Sequence, residues 1–400
     1  MINFIDMRVT TGYVTYGKEE KDAVNEVLAR EWLRPGKKVE EFEGGMARLF
    51  GKQFGLMVNS GSSANFLVLN MLKCPGVEVI TPALTFGTTA APIIQNGMIP
   101  KFFDVDLDTY QIDVNAVEEY LEKAPRCQRV FMIPALIGNF PDLERLRLLS
   151  DKYGIFFILD SCDTCGALWN GKPVGGFADI ATSSFYSSHI ITAAGAGGII
   201  VTDDEKACWQ LRALRAWGRA SELKGESEAI EDRFDFSVDD VPYDTKLAFI
   251  ELGFNMQATE IMGAFGVEQL KKLPVFAAIR KENFRKINDY FKSKPYFLMP
   301  NQHEKLETQW INYPVTLAPE CPFSREDLVV YLEKNNVQTR PLFSGNITRH
   351  PAFRAGGTAP FRNADYVMRN SFLIGCHHGL NDEHLAYLFE MFENFLQKHA

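Results

Sequence analysis

Four hundred residues exceed what one hydrophobic core usually serves, so two domains are expected. The chain is 46% hydrophobic and 23% charged, the composition of a globular protein, and no apolar run is long and unbroken enough to span a bilayer. A net charge of −9 argues against nonspecific binding to nucleic acid or an anionic membrane, yet permits a local phosphate pocket. The opening MINFIDMRVTTGYVTYGKEEKD lacks the basic and apolar regions of a signal peptide. Seven unevenly spaced cysteines then read as the reduced thiols of a cytoplasmic protein.

In chain order, KKVEEFEGGMARLFG is an amphipathic helix and SANFLVLNMLK another, beginning near Ala64. VEVITPAL (Val77–Leu84) and RVFMIPAL (Arg129–Leu136) are apolar, β-branched runs of strand length. The helical pattern LERLRLLSDKYG follows, then strands at Gly154–Asp160, Ala181–Tyr186 and Gly197–Thr202. Strands alternating with helices predict an α/β fold with a mostly parallel sheet sandwiched by helices. Ligands belong at the loops after the strands' C-terminal ends. The helix ATEIMGAFGVEQLKKL is expected to end at Pro274, before a second long helix over Val275–Lys292 and a mixed α/β tail. These signals divide the chain into a large domain, 1–273, and a smaller C-terminal one, 274–400.

The loops after the strands carry the polar chemistry. Ser60-Gly61-Ser62-Ser63 precedes a helix, where backbone N–H groups and two hydroxyls suit a phosphate; plain N-capping is the alternative. Asp160 ends the apolar run GIFFILD, where a carboxylate is costly without a cationic partner such as a protonated ring nitrogen; capping the next helix is the alternative. Phe86 follows another strand and can stack on a flat ring or sit in the core. His189 lies in SSFYSSHIITAAGAGG, a histidine at the mouth of a glycine-rich turn, and is either a solvated loop residue or a proton acceptor. Cys162 and Cys165 have CxxC spacing, but no second pair accompanies them, and His377-His378 are adjacent rather than four apart, so no metal is assigned. Neither GxGxxG after a strand nor a Walker motif occurs.

The ordered set LRPGKKVEEFE, NSGSSAN, ITPALTF, ILDSCDTCGA, SSFYSSH, GAGGIIVTDD, GFNMQATEIMGAFGVEQLKKL and TRPLFSGNITRHPAF resembles the DegT/DnrJ/EryC1/StrS family, fold type I of the pyridoxal-phosphate enzymes. The resemblance implies that Ser62, Ser63 and Ser184 contact the cofactor phosphate, that Asp160 pairs with the pyridinium nitrogen, that Phe86 stacks on the ring, and that Asp163 also binds the cofactor. Asn255 matches the asparagine that reaches the phosphate of a neighbouring subunit, which implies a homodimer with shared sites. His189 stands where the family pattern SFxxxK has the lysine that forms a Schiff base with the cofactor. Histidine there is the mark of a subgroup, the 3-dehydratases of nucleotide-linked 4-keto-6-deoxyhexoses, which use pyridoxamine phosphate held noncovalently.

That subgroup supplies deoxysugars for polysaccharides such as O-antigen. Its CDP-linked branch carries a [2Fe–2S] cluster in the loop after WGR, but no cysteine lies between Trp217 and Phe249, so no iron–sulfur cluster is expected. Glutamate is then the expected amino donor, with Arg219 or Arg340 as candidate clamps for its carboxylate. A sugar 4-aminotransferase, or a non-catalytic relative that binds cofactor or sugar nucleotide, are the alternative readings, and the nucleotide stays open.

Overall fold

The computed structural model describes residues 8–223, 229–356 and 360–399; part of the cysteine-free loop, 224–228, lies outside them. Seven strands form the central sheet: β1 (Phe54–Val58), β2 (Glu78–Pro82), β3 (Ile99–Phe103), β4 (Arg129–Pro134), β5 (Phe156–Asp160), β6 (Ile180–Ser184) and β7 (Gly198–Thr202). Their spatial order is β1-β7-β6-β5-β4-β2-β3. The pairs from β6 to β3 are parallel, whereas β7 runs antiparallel to both β6 and β1. β1 and β3 are not among the expected strands; each is only five residues long. The mostly parallel α/β expectation otherwise holds.

Burial explains why the remaining strands are legible in the sequence. Every residue of β4 is buried, as a strand covered on both faces requires. Helices α1 (Lys18–Ala29), α2 (Lys37–Leu49), α3 (Gly61–Leu72), α4 (Gly87–Gln95), α5 (Val114–Lys123), α6 (Leu143–Tyr153) and α7 (Glu205–Arg215) provide the covering layers. Their ends are set locally. Asp142 accepts from the Arg145 N–H at 3.0 Å to start α6, and Gly154 ends it in the left-handed conformation. Two clusters of buried side chains mark the two faces: one holds Phe42, Phe131, Phe157 and Phe185, the other Leu67, Val68, Ile158 and Leu211.

One expectation is corrected. The helix predicted to stop at Pro274 continues as α8, a single helix over Glu260–Phe291 with Pro274 inside it, so the division between 273 and 274 falls within one element. A proline costs a helix interior about 3 kcal/mol. Here α1 and α2 pack along α8, and Leu273 and Phe276 are buried on either side of the proline. Tertiary burial therefore outweighs the local penalty. Glu260 adds a lateral tie, accepting from the Lys38 and Val39 N–H groups at 2.7 and 3.2 Å and so capping the start of α2.

Beyond α8 lies a second, antiparallel sheet of β8 (Phe297–Leu298), β9 (Asn312–Leu317), β10 (Arg340–Pro341) and β11 (Ser371–Gly375), in the order β8-β9-β11-β10. Helices α9 (Arg325–Lys334), α10 (Arg362–Asn370) and α11 (Asp382–His399) cover it. Its core takes in Val9, Ala83, Leu84 and Tyr110 from the first part of the chain. No helix among the described residues is long and apolar enough to cross a membrane.

Candidate active site

A cavity of about 260 Å³ opens at the C-terminal ends of the parallel strands, where the fold expects a ligand. Ser62, Phe86, Asp160, Asp163, Ser184 and His189, six residues singled out in the sequence, all line it. They arrive from four loops, and the glycines explain how those loops converge. A Cβ on Gly61 would lie 2.6 Å from Ser184 Cβ and 2.8 Å from Cys162 Sγ. One on Gly198 would meet the Ser60 carbonyl carbon and oxygen at 2.4 Å. The glycine-rich turn after His189 thus lets the start of β7 press against the Ser60–Gly61 turn.

That turn opens α3. Ser60 is the N-cap, accepting from the Ser63 N–H at 3.1 Å, so the capping reading holds at Ser60. Ser62 Oγ donates to Thr88 Oγ1 at 2.8 Å and faces the cavity. Ser63 does not line the cavity; its hydroxyl donates to Asn59 Oδ1 at 2.6 Å.

Asp160 is 4% exposed at the end of β5. Its Oδ2 accepts from Asn65 Nδ2 at 2.8 Å and Thr89 Oγ1 at 2.7 Å, and its Oδ1 accepts from the Cys162 N–H at 3.2 Å. Thr182 Oγ1 donates to Asn65 Oδ1 at 2.6 Å, which fixes the amide's orientation. Among the described residues no cationic side chain pairs with Asp160, so a buried carboxylate faces the cavity with its counter-charge unassigned. Asp163 lies three residues on. Its Oδ2 accepts from the Ile137 N–H at 2.9 Å, and burial, reinforced by Asp160, pushes it up to about 7.

His189 is half-buried in the connection between β6 and β7. Its Nδ1 lies 3.2 Å from the Ser184 carbonyl oxygen, which can only accept, so Nδ1 carries the proton and Nε2 is left as an acceptor. Burial lowers its pKa to about 4, against the opposing pull of the Ser184 contact and Asp160. No lysine or arginine lines the cavity among the described residues.

Phe86, the N-cap residue of α4, is 54% exposed and meets Phe343 edge-on at 6.1 Å. Besides Ser63, three expected residues lie outside the cavity of a single chain. Asn255 is exposed, Arg219 stacks over Trp217 at 4.1 Å, and exposed Arg340 donates to the Thr339 carbonyl at 2.7 Å. Asn65, Thr88, Thr89, Tyr186 and Phe343 were missed. A second polar residue one turn into a helix, as in SSAN and FGTT, is the signal that could have found the first three.

The residues present fit pyridoxal phosphate. An unpaired buried carboxylate suits a protonated ring nitrogen, exposed Phe86 offers a face for the ring, and the α3 N-terminus with Ser62 and Ser184 offers donors for the phosphate.

Comparison with known proteins agrees. The model of the DegT/DnrJ/EryC1/StrS aminotransferase family matches residues 14–393. The dTDP-4-dehydro-2,6-dideoxy-D-glucose 3-dehydratase of Saccharopolyspora spinosa is 34% identical over 398 residues, covering 95% of this chain and 85% of that one. The GDP-4-keto-6-deoxy-D-mannose 3-dehydratase of Yersinia pseudotuberculosis is 30% identical over 389 residues, 94% of this chain and 96% of that one. A crystal structure of GDP-4-keto-6-deoxymannose-3-dehydratase with a trapped PLP-glutamate geminal diamine matches with a TM-score of 0.84 at 28% identity, over 96% of this chain and 99% of that one. The chain belongs to the DegT/DnrJ/EryC1/StrS family of pyridoxal-phosphate-dependent, sugar-modifying enzymes.

Proposed function

We propose that the protein removes the C3 hydroxyl of a nucleotide-linked 4-keto-6-deoxyhexose, giving the 4-keto-3,6-dideoxyhexose, with glutamate as amino donor. The observation that carries this reading is His189: the cavity holds an imidazole with a free Nε2 where the family pattern has lysine, and no other lysine lines it among the described residues. An imidazole cannot anchor the cofactor covalently, but it can accept a proton and return it. When bound, pyridoxamine phosphate supplies an amine for the sugar's ketone and an electron sink beside it.

The protein's own groups have separable tasks. Asp160, held by Asn65 and Thr89, orients the ring nitrogen and keeps it charged. Ser62, Ser184 and the start of α3 hold the phosphate, and Phe86 covers one ring face. His189 Nε2 takes and returns the proton, while the Ser184 carbonyl fixes its tautomer. A second copy of the chain would bring Asn255 to the phosphate, so the working unit is a homodimer.

The overall reaction balances without an external reductant. The oxygen lost from C3 is matched by conversion of glutamate to 2-oxoglutarate and ammonia. No cysteine lies between Trp217 and Phe249, where the cluster-bearing branch places its ligands, which supports a cycle without an iron–sulfur centre. The decisive assay supplies pyridoxal phosphate and a panel of nucleotide-linked 4-keto-6-deoxyhexoses with either glutamate or a reduced flavin reductase. Glutamate should give multiple turnovers, with ammonia and 2-oxoglutarate equal to the 3-deoxy product. A stable 4-amino sugar without ammonia would instead make the protein an aminotransferase. Cofactor binding without any turnover would make it a non-catalytic relative.

A further inference from the structure

We propose that the N-terminal strap, residues 9–17, is a positioning element for His189: Gly12 braces the turn that carries the imidazole from outside the cavity and so fixes where Nε2 stands. This rests on the reading of His189 as the proton acceptor. The connection between β6 and β7 has little of its own to hold the imidazole still. His189 closes a turn by donating its N–H to the Tyr186 carbonyl at 2.9 Å, and its Nδ1 meets the Ser184 carbonyl, so both bonds stay within the turn. A reacting group displaced by about 1 Å can lose about a hundredfold in rate, so such a loop needs an outer support. Gly12 supplies it. A Cβ there would lie 2.9 Å from Ser188 Cβ, 3.4 Å from Ser188 Cα and 3.5 Å from the Ser188 carbonyl oxygen, so the strap's backbone lies flat against the residue that precedes His189.

The strap is pinned on both sides of Gly12. Before it, the Val9 N–H donates to the Asn336 carbonyl at 3.0 Å, and the Val9 carbonyl accepts from the Gln338 N–H at 2.8 Å. Thr11 donates its N–H and its hydroxyl to Gln338 Oε1 at 2.9 and 3.0 Å, and its carbonyl accepts from Asn312 Nδ2 at 2.6 Å. His377 Nε2 donates to the Thr10 carbonyl at 2.9 Å, and Tyr13 stacks on the same imidazole with the ring planes 16° apart. A Cβ on Gly375 would meet the Thr10 carbonyl oxygen at 2.0 Å, so the strap lies directly on the end of β11. After Gly12, the buried Gln269 of α8 donates to the Thr15 carbonyl at 2.8 Å. Its Oε1 accepts from the N–H of Thr192, a residue of the His189 connection, at 3.4 Å. One buried amide thus ties strap and connection together a second time. Held before and after Gly12, the strap is the fixed wall, and the turn is the part that yields.

Gly12→Ala tests this, because its methyl would press on Ser188 Cβ and shift the turn. The half-reaction of pyridoxal phosphate with glutamate should slow by about 10–100-fold, while affinity for pyridoxal phosphate and melting temperature stay near wild type. Ser188→Gly removes the atom that the methyl meets, so the Gly12→Ala/Ser188→Gly double variant should regain most of the rate. In a His189→Asn background, Gly12→Ala should slow nothing further, because the group it misplaces is already gone. Placement is also read without turnover, from the nuclear magnetic resonance of isotope-labelled histidine in the cofactor-free protein. The imidazole signal that His189→Asn removes should move in Gly12→Ala and return in the double variant. Gln338→Leu releases Thr11 without adding bulk at Gly12 and should move the same signal and slow the same step, so the test survives a Gly12→Ala protein that does not fold. An unmoved imidazole signal, a full Gly12→Ala effect in the absence of His189, or no rescue by Ser188→Gly would overturn the proposal. A wild type without any glutamate half-reaction would sink the reading of His189 as the base instead, and the imidazole signal would still report whether the strap places it.

Discussion

His189 and Ser184 are joined across the turn between β6 and β7: the imidazole Nδ1–H points at the Ser184 carbonyl oxygen at 3.2 Å, and the same residue's side chain lines the cavity. One peptide group thus sets the tautomer of the proposed base, while the hydroxyl of the same residue is the one proposed to hold the phosphate. Base and phosphate site are held at a fixed separation by five residues of chain. Because Nδ1 is occupied, only Nε2 can exchange protons with a ligand.

Replacing His189 should separate binding from chemistry. His189→Asn is expected to keep cofactor binding and lose about 10²–10⁴ in turnover, the usual worth of a positioned proton acceptor. Borohydride treatment of the wild type with pyridoxal phosphate should leave no cofactor-modified lysine by mass spectrometry, and His189→Lys should gain one while losing 3-deoxy product. A stoichiometric lysine adduct in the wild type would contradict the noncovalent reading.

The acid limb of activity should lie low. His189 titrates at about 4 because burial disfavours the imidazolium, so the base form is lost only as pH falls through that value. The pH profile of kcat should therefore show no His189-dependent fall between pH 7 and about 5.5, where an imidazole of ordinary pKa would already have lost about nine-tenths of its base form. A limb near 6.5 that moves in His189 variants would refute this.

Asp160→Asn should cripple the enzyme without unfolding it. The amide keeps the size of the carboxylate but cannot hold a positive charge at the ring nitrogen, a loss of about 3 kcal/mol or a factor of roughly a hundred. Thr89→Val, which removes one donor at 2.7 Å, should have a smaller effect in the same direction. Turnover at saturating cofactor, with thermal melting as the control, separates the two.

Gly61→Ala tests the close approach of the loops. The added methyl would press on Ser184 Cβ and Cys162 Sγ at under 3 Å, so despite better helix propensity the variant should lose about 1–3 kcal/mol of stability. Melting temperature should fall, and cofactor affinity with it, because both contacts border the cavity.

A shared site predicts complementation. Mixing Asn255→Ala and His189→Asn subunits, each inactive alone, should restore roughly a quarter of wild-type activity, since random pairing leaves one intact site in half the dimers. No recovery after demonstrated subunit exchange would place Asn255 outside the site.

Sequence alone determined the local part of this protein. Strand–loop–helix order, read from apolar runs and their turns, placed Ser62 just before a helix, Asp160 at the end of a strand and Ser184 within one, and the residue that stands in SFxxxK drew attention to His189. These are properties of a few consecutive residues, set by backbone sterics and capping. Tertiary structure alone decided what holds them. Asn65 and Thr89 reach Asp160 from 95 and 71 positions away, and Phe343 closes on Phe86 from the far side of α8. It also decided that α8 runs through Pro274, and that Ser63 turns to Asn59 instead of the cavity. Such pairings depend on which surfaces meet when the sheet and helices pack, and the free energy of that burial exceeds the local preferences that sequence patterns record.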